Sequence, residues 1–188
     1  MESNVGLSMD EDLENIHRVV AAKKEKFNFF EGLYELVDLF TMTVLLLVFL
    51  MFVFRPVKVV GGSMLPTLEE NQRLITAVNN GFFNSIKRGN IVVVNQPSYT
   101  GLSIIKRVIA TEGQTVDIDF TSGKVFVDGE LQKEDYIKEP THLPEGVQFP
   151  IVVPDGHVFV MGDNRNNSSD SRNPGIGMID IRYISGRN

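Results

Sequence analysis

Three short stretches of this 188-residue chain hold the side chains that could do chemistry. The first is Gly61-Gly62-Ser63-Met64-Leu65-Pro66-Thr67-Leu68. Two glycines before a serine let the backbone turn sharply and let another chain come close, and Pro66 fixes the turn that follows. Such a turn can present a hydroxyl and a backbone N–H together, as a nucleophile and an oxyanion donor require. Taken alone, the same residues also describe an ordinary loop. The second stretch is Ile104-Ile105-Lys106-Arg107-Val108-Ile109-Ala110. On a strand, Lys106 shares a face with Ile104, Val108 and Ala110, and Arg107 points the other way. A lysine on an apolar face is unusual. It is either an edge-strand lysine that blocks aggregation or a general base whose amine gives up its proton because burial lowers its pKa. The third stretch runs from Gly162 to Arg172 (GDNRNNSSDSR), with two acids, two arginines and three serines. It is either a solvated loop or a self-satisfied polar network that fixes backbone and side chains when buried.

Composition excludes several other chemistries. A net charge of −6 argues against a general nucleic-acid binder, which would carry a basic field. The chain has no cysteine, which removes disulfides, thiolate catalysis and cysteine-ligated metals. His17, His142 and His157 are far apart and no HExxH spacing occurs, so neither a metal nor a cofactor is expected.

The positioning elements are a membrane anchor and a β domain. Residues 1–38 are polar and mostly acidic, with a basic cluster at Lys23, Lys24 and Lys26. Within them Leu13, Ile16, Val19 and Val20 have helical spacing, which suits a surface helix or a solvated tail. Leu39–Phe54 is a 16-residue run without a charge. As a helix it spans about 24 Å, close to the roughly 30 Å hydrocarbon core, and Leu36 and Val37 extend it. A cleaved signal peptide fits poorly, because the preceding tail is long and Arg55-Pro56 follows in place of small residues. From Arg55 the texture turns to β. The predicted strands are Arg73–Val78, Asn90–Asn95, Ser103–Ala110, Thr115–Phe120, Lys124–Val127 and His157–Met161. Thr121-Ser122-Gly123 and Asp128-Gly129 read as tight turns, and no helix is expected after the anchor. The division is thus residues 1–35 as a tail, 36–55 as a transmembrane helix and 56–188 as one mostly antiparallel β domain. Phe82-Phe83, in a segment before Lys87 and Arg88, either caps the core or dips into lipid headgroups.

At the three stretches the sequence resembles the bacterial type I signal peptidase family. GGSMLPTL is similar to its nucleophile box, KRVI to its lysine box, and GDNRNNSSDSR to its Gly-Asp-Asn-Arg box. KRGNIVVV is similar to a further family strand. Order, spacing and the upstream anchor agree over roughly residues 40–188. The resemblance implies a mostly β serine protease with Ser63 as nucleophile, Lys106 as general base and the Ser63 N–H as an oxyanion donor. It implies that Ser168 orients the lysine and that Asp163, Asp170 and Arg172 form a supporting network. The implied substrates are preprotein signal peptides cut after small residues of Ala-x-Ala type. The implied enzyme is a single-pass cell-membrane protein with its catalytic domain outside the cytoplasm and residues 1–35 inside. It is expected to be a monomer that touches membrane lipid and no nucleic acid. With the chain ending at Asn188, no second anchor is expected. Three residues depart from the pattern: Gly61 where some members carry a serine, and Asn90 and Asn166 where aspartate is common. Two other readings stay open. One is a self-cleaving Ser–Lys repressor-type protease, against which the apolar run argues. The other is a non-catalytic membrane-tethered β domain that assists surface-protein or pilus assembly.

Overall fold

A computed structural model describes residues 4–78, 86–95 and 103–187; Phe82 and Phe83 lie outside them. The chain divides into two units, residues 1–51 and 52–188.

The first unit is one helix, α1 (Asn4–Val53), which continues through the 13–20 stretch into the apolar run. Thr41 and Thr43 return their hydroxyls to the carbonyls of Val37 and Leu39, each at 2.8 Å, so neither presents a free polar group. By length and composition α1 is able to cross a membrane.

The second unit is built from antiparallel strands: β1 (Phe54–Lys58), β2 (Arg73–Val78), β3 (Ile91–Val94), β4 (Ile104–Thr111), β5 (Thr115–Asp119), β6 (Lys124–Val127), β7 (Glu130–Leu131), β8 (Ile151–Val152), β9 (His157–Met161), β10 (Ile179–Asp180) and β11 (Ile184–Arg187). They form a seven-stranded sheet in the order β1-β2-β11-β3-β4-β9-β10 and a four-stranded sheet in the order β7-β6-β5-β8. All pairings among the described residues are antiparallel. The predicted strands at Arg73–Val78, Lys124–Val127 and His157–Met161 match end to end, and the others shift slightly at a boundary. The sheet starts earlier than position 56, because Phe54 and Arg55 already pair with Ala77 and Thr76. Pro56 does not prevent this, since β1 is an edge strand and needs no second set of ladder bonds. β11 escaped the sequence reading because it is short and holds Gly186. A Cβ at that position would stand 2.6 Å from Thr76 Oγ1, so the close packing of β11 on β2 requires glycine.

β4 and β9 are buried on both faces. Val158 and Val160 join Val92, Val94 and Val108 in one cluster, while Phe159 and Met161 turn toward Val116, Ile118, Val125 and Val127 of the smaller sheet. The period-2 alternation of the strand thus stitches two cores together. A register shift between Val108 and Ala110 breaks the alternation in β4. Ile104 and Val108 keep the expected common cluster, but the bulge moves Ala110 to the other core beside Ile109, which corrects the face assigned to it from sequence.

Phe159 is fully buried and lies edge-on to Phe149 at 5.9 Å. Phe159→Ala should cost about 3–5 kcal/mol by removing the ring and leaving a cavity where the sheets meet. Denaturant unfolding of the detergent-solubilised protein measures it; a loss below about 1 kcal/mol would show that the sheets are not coupled through this ring.

Candidate active site

The loop between β1 and β2 carries Ser63. Its base is closed by Val59 N–H to Gln72 O and Asn71 N–H to Val59 O, both 2.9 Å. Its apolar side chains Val59, Met64 and Leu68 are buried with Leu74 of β2, which anchors the loop on the sheet. Gly61 has φ +85°, in the region that favours glycine. A serine there would be strained, so the departure from the family pattern at Gly61 is matched by the backbone. Ser63 is the second residue of a turn in which Leu65 N–H reaches Gly62 O. Among the described residues no protein group accepts the Ser63 N–H.

Lys106 lies on β4 opposite Val92 of β3 and is 4% exposed. Its Nζ donates to Ser63 Oγ at 2.8 Å. Burial, the largest influence, pushes the amine below the ordinary lysine value; Asp170 and Glu145 oppose the shift, Arg172 adds to it, and Asp163 opposes it. An amine that gives up its proton more readily than an ordinary lysine, within hydrogen-bond reach of a hydroxyl, is placed to take the hydroxyl's proton. The central strand position excludes the edge-strand reading of this lysine.

The third stretch follows β9 and folds under the pair. Asn164 donates twice to the nucleophile loop, from its N–H to Ser63 O at 3.0 Å and from Nδ2 to Gly62 O at 2.9 Å. Gly162 makes the closest approach: a Cβ there would lie 2.5 Å from Ser63 O and 2.2 Å from Ser168 Oγ. Ser168 donates to Asp170 Oδ2 at 2.9 Å, and the same oxygen accepts the Gly162 N–H at 3.0 Å. Among the described residues the Lys106 amine bonds to Ser63 and not to Ser168. Ser168 meets the pair through Asp170, which also holds the Gly162 N–H, and through its close approach to Gly162.

The stretch is a buried network and not a solvated loop. Arg172 binds Asp170 through Nε at 2.8 Å and Nη2 at 2.9 Å. Asp163 accepts from Arg107 Nε at 2.8 Å, Arg107 Nη2 at 2.7 Å and Thr67 Oγ1 at 2.5 Å. Arg107 also donates to Gly89 O and lies 4.0 Å over the Tyr136 ring. Arg165 is fully buried and holds Glu134 with both terminal nitrogens and Thr141 with one. Tyr136, hemmed in by burial and by Glu134, has its hydroxyl pushed up to about 12 and stays neutral. No spacing in the sequence assigns Arg107 a partner or singles out Arg165, Glu134, Tyr136, Thr67 or Asn164. Glu134 and Tyr136 sit in an irregular connection with no pattern to mark them. Asn166 Oδ1 accepts the N–H groups of His142 and Leu143, while Nδ2 donates to Pro140 O at 3.1 Å. An aspartate could not supply that last bond, so asparagine suits this site and no salt bridge is lost. Asn90 Oδ1 likewise accepts Lys87 N–H at 2.9 Å within a turn.

A cleft of about 120 Å³ opens beside the pair, lined by residues 57–61, Ser63, Met64 and residues 103–106. A larger cavity of about 370 Å³ lies at Arg88, Gln132 and Tyr136 and includes neither Ser63 nor Lys106. Among the described residues no cluster of histidines and carboxylates could hold a metal ion.

The family model described as signal peptidase, peptidase S26, matches residues 33–188. A probable signal peptidase I-1 of Synechocystis sp. is 43% identical over 136 residues, covering 68% of this chain and 66% of that protein. A signal peptidase I of Bacillus licheniformis is 35% identical over 150 residues, covering 76% and 78%. A solved signal peptidase I from Enterococcus faecalis is 25% identical and has a TM-score of 0.45, covering 55% of this chain and 96% of that one.

The lowered pKa of Lys106 has a consequence for stability. Between the folded value and the ordinary 10.5 the unfolded chain binds the extra proton, so stability rises with pH across that window. The penalty of burying this amine is full below the folded pKa and gone above the ordinary one. Lys106→Met should therefore raise the unfolding midpoint most at low pH, below the folded pKa, and least near pH 10.5. A stabilisation that is the same at every pH, or one that grows as the pH approaches 10.5, would contradict the burial cost.

Proposed function

The chain belongs to the signal peptidase family, peptidase S26, and from that membership and the Ser63–Lys106 contact we propose a serine endopeptidase that cleaves signal peptides from exported preproteins through this dyad. The observation that carries the dyad is a buried amine, its proton affinity lowered, 2.8 Å from the Ser63 hydroxyl.

In the proposed cycle the neutral Lys106 amine takes the Ser63 proton as Oγ attacks the scissile carbonyl carbon. The carbonyl π electrons move to oxygen, and the Ser63 N–H, which has no protein acceptor among the described residues, receives the oxyanion. Collapse breaks the C–N bond, and the Lys106 ammonium gives its proton to the departing amine. Water then attacks the acyl-serine ester with Lys106 again taking a proton, and Oγ leaves as the hydroxyl. Ser168 acts in this scheme through Asp170, as a spacer that packs against Gly162 and keeps the amine's surroundings fixed. The cleft beside Ser63 is small and walled by Val57, Val59, Val60 and Ile104, which suits methyl-sized side chains before the cut. The α1 helix tethers the enzyme in the cell membrane, and the peptidase domain faces away from the cytoplasm, where exported chains emerge.

Ser63→Ala and Lys106→Arg should each lower processing of a labelled preprotein by about three orders of magnitude or more, since one removes the nucleophile and the other a group able to lose its proton. The unsubstituted rate should rise with pH as Lys106 deprotonates. Normal cleavage by either purified variant would sink the dyad. Orientation has its own test: protease added to intact protoplasts should degrade the domain after Arg55, and full protection would reverse the topology.

A further inference from the structure

The peptide group between Gly62 and Ser63 carries the N–H that receives the oxyanion in the proposed cycle. The bond is trans, so its carbonyl and its N–H point in opposite directions. Ser63 borders the cleft and Asn164 does not. Two groups hold the Gly62 carbonyl: Asn164 Nδ2 at 2.9 Å and, at a longer 3.3 Å, the Leu65 N–H of the same turn. The next carbonyl, Ser63 O, accepts the Asn164 N–H at 3.0 Å. One residue thus holds the carbonyls on both sides of the Ser63 α-carbon. The loop itself supplies little stiffness, since glycine at 62 and Gly61 at φ +85° leave this peptide plane easy to rotate.

Asn164 makes its side-chain bond against local preference. It is the N-cap of the 3-10 turn Arg165–Asn167, where an asparagine side chain ordinarily accepts a backbone N–H of the turn, and it makes no capping bond. The residue is 1% exposed, and its Oδ1 meets no donor among the described residues. Turning the amide over would not relieve this, because Oδ1 would then face the Gly62 oxygen. The backbone that carries it is pinned through its neighbours, Asp163 by Arg107 and Arg165 by Glu134. A side chain that forgoes its cap and buries an idle acceptor in order to donate to one carbonyl breaks local rules in the way functional sites do.

We propose that Asn164 is a positioning residue for the oxyanion: by holding the Gly62 carbonyl away from the cleft it aims the Ser63 N–H at the charge that forms on the scissile carbonyl. Its donation also polarises the Gly62–Ser63 amide, which strengthens the N–H as a donor. Asn164 touches no reacting atom. The inference rests on the reading of Ser63 and Lys106 as the dyad.

The test uses the full-length, detergent-solubilised protein, a labelled signal-peptide substrate and a peptide boronic acid of matching sequence. Ser63 Oγ bonds to boron, its proton passes to Lys106, and the tetrahedral boronate carries the negative charge that the oxyanion would. Asn164→Leu has nearly the same shape, removes the donor and the idle acceptor together, and leaves Gly62 O its bond from Leu65 N–H. It should lower kcat by about 10- to 100-fold, less than the outright loss of an oxyanion donor. KM, the unfolding midpoint and the affinity for the cleaved signal peptide should stay, while the boronate binds more weakly by the same factor as kcat falls. The acid limb of the pH profile should also stay, because Lys106 is untouched. An undiminished kcat overturns the proposal. So does a fall accompanied by weaker product binding or a moved acid limb, which would mark Asn164 as a strut for the loop or for Lys106. If Asn164→Leu does not fold, the unsubstituted protein with nitrogen-15 asparagine supplies a second measurement. The Asn164 side-chain proton should shift downfield when the boronate adduct forms, because an N–H drawn to the anion makes its own carbonyl a better acceptor. A resonance that the adduct leaves unmoved overturns the proposal. Failure of either measurement while Ser63→Ala and Lys106→Arg remain inactive leaves the dyad standing, whereas normal cleavage by Lys106→Arg removes both.

Discussion

A lysine amine kept out of water is the constraint around which the domain is arranged. An ammonium in a protein interior carries an effective penalty of several kcal/mol, and neutralising it is the cheaper course unless anions surround it. The position of Lys106 is therefore a balance. β4 lies between β3 and β9, so the strand itself withdraws the side chain from solvent. Asp170 and Glu145 pull the other way and keep the proton affinity from collapsing. A lysine at the edge of the sheet would stay protonated in water, and one in a purely apolar cluster would lose its proton without the polar neighbours that aim it. The 2.8 Å contact with Ser63 needs both the burial and the aim.

The aim comes from pairs of opposite charge that contribute little net stability. Replacing a buried ion pair by apolar residues is often neutral or better for stability, but each guanidinium fork fixes direction as well as distance. Arg107 ties β4 to Asp163, next to Gly162, and to Gly89 before β3. Arg172 gathers the carbonyls of Leu143, Arg165 and Ser168 around Asp170. The result places the Gly162 backbone against Ser63 O with no room for a methyl group. Ser63 is therefore fixed from the strand side by Lys106 and from below by Gly162 and Asn164, although its own loop contains two glycines.

Much of this was legible before any coordinates. Apolar, β-branched runs marked the central strands, because the residues from Val92 to Val94 and from Val158 to Met161 are buried on both faces and end at turn signals. The site was marked by the resemblance of three boxes in order, at Ser63, Lys106 and Gly162–Arg172, because each stretch alone also fits an ordinary loop, an edge-strand lysine or a solvated turn. What escaped had no local signature. β1 was hidden by Pro56, and β11 by Gly186, whose requirement is set by Thr76, far away along the chain. The bulge at Ile109 is a register decision between β4 and β9 that neither strand records alone. Glu134 and Glu145 occupy an irregular connection, and their partners Arg165 and Arg172 are known only once the connection is folded across the stretch that holds them. Ser168 was named through the family resemblance, and its bond to Asp170 depends on distances no spacing rule conveys.

The site also bears on how a substrate must present itself. The cleft runs between residues 57–61, which leave β1 on the way to Ser63, and residues 103–106, which enter β4. Both walls are extended or nearly so, and an extended peptide laid between them can exchange main-chain hydrogen bonds with an exposed strand edge, whereas a helix carries its own bonds internally and offers none. Val60, 81% exposed, stands at the mouth of this cleft. Its apolar surface is left in water unless a chain covers it. A buried amine of lowered proton affinity is without purpose in a passive tethered domain, because leucine or methionine at position 106 would hold the strand at less cost. The buried amine beside Ser63 therefore favours the peptidase over the passive assembly module on physical grounds.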